Sequence, residues 1–505
     1  MRNEPVAPSP VSANAPTFGC SLPGAVLRLS ALSALIACAC TSAPASPRDA
    51  SRDATAVGPP DAPTDVALDV ALDAPAVVSG LPVRHPADPA RAARGGALLD
   101  SGSLGGGLVP MLALRNLWIT WGTAPPASDA AYWAQFAQRY GFAEALPGRG
   151  GLPSGVRAAG ASATFDCRMC HTGTVAGRAI EGVGNSELDL QGLFDDLARL
   201  NALAPMFGFP SVPHPFALTD RTGAAGATDA FGMGMEFSTR YGPPGAVVAT
   251  RYGYQQPAAW WTLRYRDRIY ADGSGRADGH RTMMAMLLAF GMSFAELQAR
   301  DADMTDLAHH IRGLPAPAWP FDALDPAARA RGRGHFQARC AGCHGAHDGA
   351  DASFPERLVP VAEVGTDPLR ATRFGAVEAA WVNASWFGAE HPMVATGAYL
   401  APPLVGVWAT APYFHNGSVP DIAGVLDPAQ RPARWRRVGH GAAHYDPARV
   451  GWRHEAVAAV GDPRTLEGRR VYDTTREGLR NGGHPYGADL SVTARSDLLE
   501  YLRGL

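Results

Sequence analysis

The chain has 505 residues, with 44 Lys and Arg against 47 Asp and Glu and a formal net charge of −3. That balance excludes an electrostatic case for nucleic-acid binding, and the length is enough for more than one domain. Seven Cys, four of them in two identical short spacings, exclude a disulfide framework and direct attention to those spacings.

The first element in chain order reads as an export signal. Arg2 and Arg28 flank the apolar stretch Leu29 to Ala37, which ends in Leu35-Ile36-Ala37-Cys38. This ending resembles the lipobox of bacterial lipoproteins, so residues 1–38 are expected to be a signal peptide with Cys38 as the lipidated new N-terminus. The apolar stretch is too short for a comfortable membrane span. The protein is therefore expected to be exported, periplasmic or at the cell surface, and to touch the membrane only through its lipid anchor. Residues 39–80 are Ala, Pro, Asp, Val and Ser with almost no aromatics, including the near-repeat Asp65-Val66-Ala67-Leu68-Asp69-Val70-Ala71-Leu72-Asp73. Such a segment cannot bury a core and reads as a disordered acidic tether. Cys20 would leave with the signal, and Cys40 is left over.

The next informative element is Cys167-Arg168-Met169-Cys170-His171, repeated as Cys340-Ala341-Gly342-Cys343-His344. At this spacing two thiols can add to the vinyl groups of one haem while the adjacent imidazole binds its iron. A His directly after the second Cys, twice over, disfavours a zinc half-site or a redox dithiol. Two covalently bound haems c are expected, with His171 and His344 as proximal ligands, in an N-terminal haem domain (81–320) and a C-terminal cytochrome c domain (321–505). Met304, Leu307, Ala308, Ile311 and Leu314 stand at helical spacing before Pro315 and close the first domain. Asp325 with Pro326 starts a helix running to Cys340, and Ser491 caps a closing helix with Leu498, Leu499, Tyr501, Leu502 and Leu505 on one face. Strand-like alternation is scarce and Gly plus Pro are abundant, which predicts a mainly α fold: two c-type cytochrome-like haem domains with long ordered loops.

The sixth ligand decides what a haem does, since two strong protein ligands favour electron transfer and an open position admits oxygen or peroxide. The 42 residues after His171 contain no His, and the first one beyond is His214. Met206, Met233 and Met235 are the alternatives, and an open or water-bound iron is the expectation. For the second haem the candidates rank His484, on the Gly-rich loop before Ser491, then His415, then Met393. Cleaving bound peroxide needs a group that moves a proton, and Glu187, Asp229, Glu236 and Gln255 lie in the long segment after the first motif.

The run Thr410-Ala411-Pro412-Tyr413-Phe414-His415-Asn416-Gly417-Ser418 resembles the di-haem cytochrome c peroxidase and MauG superfamily, and with both haem motifs in order the likeness covers roughly residues 135 to 505. The loop Asn481-Gly482-Gly483-His484-Pro485-Tyr486-Gly487 and the segment Trp260-Trp261 to Met284 look most like the rubber-oxygenase branch. The resemblance implies that the first haem meets peroxide or dioxygen and the second relays electrons from an electron donor or organic substrate. It also implies an aromatic residue between the haems, here Trp261 or Trp260. Calcium between the domains is a further implication, through Thr410 and the carbonyl of Pro412, although no Asn ligand matches. Two departures weaken a classical peroxidase reading and favour the oxygenase-like branch: no Met follows His415, and no His follows the first motif closely. The alternative is a non-catalytic electron-transfer di-haem cytochrome.

Overall fold

The computed structural model describes residues 79–100, 104, 109–147, 149–207, 222–242, 253–289 and 292–505. The expected signal and Cys38, nearly all of the tether, and His214 lie outside them. Among the described residues no helix is long and apolar enough to cross a membrane.

The expected helices form where local chemistry starts and stops them. Asp325 accepts the backbone N–H groups of Ala327 and Ala328 (2.8 and 3.2 Å), and Pro326 opens the helix Pro326–Arg339. Ser491 accepts the N–H of Ala494 at 3.2 Å and opens Val492–Arg503. These two helices pack on one another. Gly332 makes that possible, because a Cβ there would lie 1.9 Å from the Asp497 carbonyl oxygen. Arg331 then clasps Asp497 with two bonds of 2.8 Å, and Phe336 lies 5.2 Å from Tyr501. The helix Asp301–Gly313 buries Met304, Leu307, Ala308 and Ile311 and packs on Pro89–Asp100.

The expectation of a mainly α fold is corrected to a mixed one, 42% helical and 13% strand among the described residues. Sixteen strands form seven small sheets among the described residues. Most are two to four residues long, too short to display alternation, and turn chemistry rather than hydrophobic pattern specifies them. Thr172–Val175 pairs with Arg178–Glu181 across Ala176-Gly177, whose φ values of 49° and 77° make the tight left-handed turn that matches strand twist. This hairpin leaves the first haem motif directly.

Two main cores result. One gathers Leu99 through Ile311 with Phe374, Val382, Phe387 and Met393, and holds Cys167 and Cys170 at its edge. The other runs from Val175 and Trp261 to Leu505, with Cys340 at its edge. Segments from both halves of the chain therefore build each core, within one compact unit of the described residues.

Candidate functional site

Both Cys-x-x-Cys-His motifs form a single helical turn, Arg168–His171 and Ala341–His344. Both open into one continuous cavity of about 600 Å³, lined by all four of their Cys and by His171 and His344. In each motif the His ring is oriented by a carbonyl far away in sequence. His171 Nδ1 lies 3.1 Å from the Ala258 oxygen, and His344 Nδ1 lies 2.8 Å from the Pro402 oxygen. A carbonyl only accepts, so the proton sits on Nδ1 and Nε2 keeps its lone pair, the arrangement a metal-binding imidazole requires. Burial pushes the His171 imidazolium down to about 4 and lowers that of His344, which keeps both rings neutral. Burial also pushes the Cys167 and Cys170 thiols up to about 12 and Cys340 up to about 11. A catalytic dithiol has the opposite shift. The residues fit covalent haem attachment.

The surroundings of the two rings differ. The His344 ring faces His484, with centroids 6.3 Å apart and planes at 59°. Two rings so placed would suit holding one haem iron between them, where the haem would supply one-electron exchange. The loop holding His484 is tightly specified. His484 takes the left-handed region (φ 50°), and its N–H donates to the Val364 carbonyl at 2.7 Å. Gly483, at φ 76°, lies where a Cβ would meet the Gly365 carbonyl carbon at 2.2 Å. Arg431 donates to the carbonyls of Asn481 and Gly483, both at 2.7 Å. Among the described residues the ring against His171 is that of Trp260, stacked at 4.8 Å and 24°.

The other predicted residues fall in several places. His415 lines the cavity but stacks on Tyr399 (4.2 Å, 21°) and bonds to its hydroxyl at 3.0 Å. Met393 lines the cavity from the core that holds Cys167 and Cys170, where Met235 also lies, whereas Met206 is 77% exposed. Trp261 is 1% exposed, and its Nε1 donates to the Val405 carbonyl at 2.8 Å. The neighbouring Trp260 belongs to one core and Trp261 to the other. Glu187 pairs with Arg437 and with His440 at 2.8 Å, away from the cavity lining. The Asp229 carboxylate caps the helix Ala230–Tyr241 through the Gly232 N–H at 3.0 Å. Glu236 is buried on that helix, and Gln255 lines the cavity while accepting Arg370 Nε at 2.8 Å. Thr410 turns its hydroxyl to the Val407 carbonyl at 2.9 Å. No group of three His, Cys, Asp or Glu among the described residues is placed to hold a metal.

Sequence reasoning missed His280. It lines the cavity, and its Nε2 lies 2.7 Å from Asp301, which also pairs with Arg281 at 2.7 Å. No spacing rule could have found this dyad, because its partners join only when the helix Asp301–Gly313 folds back.

A pH prediction follows from His415. Burial and then the charge of Arg370 push its imidazolium down to about 3. The unfolded chain, titrating near 6.5, therefore binds more protons as pH falls. The contribution of His415 to stability is complete above 6.5 and declines toward pH 3, by at most about 1.4 kcal/mol per pH unit. Guanidinium unfolding at pH 7 and 4.5 should show a smaller acid loss for His415→Gln than for the unmodified chain; equal losses would refute it.

Residues 398–436 match the family model described as RoxA-like, cytochrome c-like. That segment supplies the Pro402 carbonyl for His344, the Tyr399–His415 pair and Arg431. The chain is also similar to two proteins of Sinorhizobium fredii (strain NBRC 101917 / NGR234). "Uncharacterized protein y4iM" is 27% identical over 290 residues, 48% of this chain and 62% of the relative. "Uncharacterized protein y4iJ" is 27% identical over 260 residues, 38% of this chain and 42% of the relative. The chain thus spans less than two thirds of these curated relatives. The family match supports a cytochrome c relationship and with it covalently bound haem c and haem-based redox function.

Proposed function

We propose that the chain carries two haems c and is a di-haem oxidoreductase of the cytochrome c peroxidase and MauG type. Peroxide or dioxygen would be activated on the His171 side, and electrons relayed on the His344 side. The observation that carries this reading is the inequality of the two proximal rings: His344 has His484 opposite it at 6.3 Å, and His171 has Trp260 beside it. A haem supplies one-electron exchange, and where its sixth position is open it also supplies a binding site for the oxidant.

The chain's own residues supply the rest. The Ala258 and Pro402 carbonyls fix the tautomer and plane of each proximal imidazole. Trp260 stacks on the His171 ring, and the adjacent Trp261 bonds to the carbonyl of Val405, three residues from the one that orients His344, which makes the pair the candidate for electron passage between the sites. Gln255 and His280, the latter held by Asp301 at 2.7 Å, are polar groups of the lining suited to holding or moving a proton. The reading includes export, with lipid anchoring at Cys38, and an electron donor or organic substrate as the second partner; its support is the N-terminal sequence pattern and the resemblance. Polymer cleavage is left to the rubber-oxygenase likeness.

Electron paramagnetic resonance of the oxidised protein should show one high-spin and one low-spin centre, and a peroxide titration should alter the high-spin signal. Two low-spin centres, with no peroxide reaction in the oxidised or half-reduced protein, would establish the second reading instead. That reading, a purely electron-transferring cytochrome, is favoured by the thioether of Met235 in the cavity lining.

A further inference from the structure

The cavity wall contains a charge that the described residues leave unanswered. Arg266 follows the turn Trp260–Tyr265, is 4% exposed and lines the cavity. Its Nε is buried without a hydrogen-bond partner. The carboxylate whose field reaches it is Glu356, and that group is already committed. Its Oε1 accepts the N–H groups of Asp267 and Arg268 (2.6 and 2.7 Å), and its Oε2 accepts Arg84 at 2.9 Å. Two guanidinium groups buried still more deeply are treated differently: Arg370 is bidentate to Asp272 (2.7 and 3.1 Å), and Arg469 reaches both oxygens of Asp189 (2.8 and 3.0 Å). An ion taken from water without a counter-ion is costly, and a charged side chain so placed either loses its charge or meets an anion. Burial draws the Arg266 guanidinium down only to about 10, so it remains charged at neutral pH. The anion must then come from whatever fills the cavity.

We propose that Arg266 is the clamp for a haem propionate, binding the acidic edge of the cofactor from the cavity wall. The inference rests on the reading that the cavity holds haem and adds the residue that fixes the acidic edge. Three things converge on it: both covalent attachment motifs line the same cavity, the propionates are the anionic groups of a haem, and a guanidinium fork matches a carboxylate. The haem on Cys167 and Cys170 and the haem on Cys340 and Cys343 bring the same chemistry, and the experiment tells them apart.

The test compares the unmodified chain with Arg266→Gln, Arg266→Met and Arg266→Lys, all isolated with haem attached. Intact mass gives the haem count, and spectroelectrochemistry gives each midpoint through its own high-spin or low-spin band. Resonance Raman reports the propionate bending modes. Removing the cation leaves a propionate charge uncompensated, which favours ferric iron. Arg266→Gln and Arg266→Met should shift one haem's equilibrium at least tenfold toward the oxidised form, 59 mV for a one-electron couple, and should move its propionate band. Arg266→Lys keeps the charge without the fork, so its midpoint should fall between. The spectral component that shifts identifies the haem. Midpoints within threefold of the unmodified chain and unmoved propionate bands in the Gln and Met variants would overturn the proposal. If neither accumulates folded, an unmoved propionate band in Arg266→Lys overturns it equally. An unmodified chain carrying one haem would count against the di-haem reading alone, because that haem still brings propionates to the same comparison.

Discussion

On the proposed di-haem reading, His484→Gly should convert a low-spin centre at His344 to a high-spin centre that binds carbon monoxide when reduced. Glycine is the informative replacement because residue 484 sits at φ 50°. Alanine would combine loss of the imidazole with about 1 kcal/mol or more of left-handed backbone strain, and Gly avoids the second effect. The loop should stay in place, since the Val364 carbonyl still accepts the residue 484 N–H (2.7 Å) and Arg431 still holds Asn481 and Gly483. What disappears is the ring 6.3 Å from His344. Losing an imidazole that stabilises ferric iron should raise the midpoint by roughly a hundredfold in the reduction equilibrium, about 120 mV. Absorption and paramagnetic resonance spectra of the oxidised protein check the spin state, and a redox titration checks the shift. An unchanged low-spin signal in His484→Gly would remove His484 from the iron, and His415→Gly would be the next variant to examine.

Why His484 was legible in the sequence, and His280 and Arg266 were not, has a physical basis. The haem motifs are local: two thiols and an imidazole in one helical turn declare their chemistry without reference to the fold. The caps Asp325 and Ser491 are equally local, each acting on N–H groups two or three residues on. His484 ranks first in the sequence because a Gly-rich loop before a closing helix is itself a local signal, and the structure brings its ring to 6.3 Å from that of His344. By contrast, the carbonyls that orient the proximal rings lie 87 residues from His171 and 58 from His344. Their backbone oxygens carry no residue-type signature. Arg266 is conspicuous only for the partner it lacks, which appears once every neighbour is in place. The catalytic candidates Glu187 and Asp229 had suitable composition, and the fold engages one with Arg437 and the other with a helix N-terminus. The hairpins escaped notice because strands of two to four residues have too few positions to alternate.

Asp272→Ala should cost about 3–5 kcal/mol of unfolding free energy, because it strands a guanidinium in the interior. Arg370 and Asp272 have side chains 2% and 1% exposed and share two hydrogen bonds, of 2.7 and 3.1 Å. Asp272 also accepts from Ser274 N (3.2 Å) and Oγ (2.8 Å), pinning the turn that carries Tyr270 and Gly273 at φ 66° and 64°. Arg370 reaches on to Gln255 at 2.8 Å and lies 5.9 Å from the Phe231 ring centre, and both of those residues line the cavity. The pair is therefore part of the frame that shapes the cavity wall. Its loss should loosen that part of the cavity wall as well as lower stability. The exposed pair Arg464–Asp462 has the same charges and a comparable 2.9 Å contact but stands in water. Asp462→Ala should therefore leave the unfolding midpoint unchanged. Removing both charges is the decisive comparison. Replacing a buried pair by apolar residues of similar volume is often neutral or stabilising, so Asp272→Leu with Arg370→Met should recover most of what Asp272→Ala loses. Guanidinium unfolding of the four proteins measures this directly. A cost under about 1 kcal/mol for Asp272→Ala, or no recovery in the double variant, would show that the desolvated charge is not what the pair holds in balance.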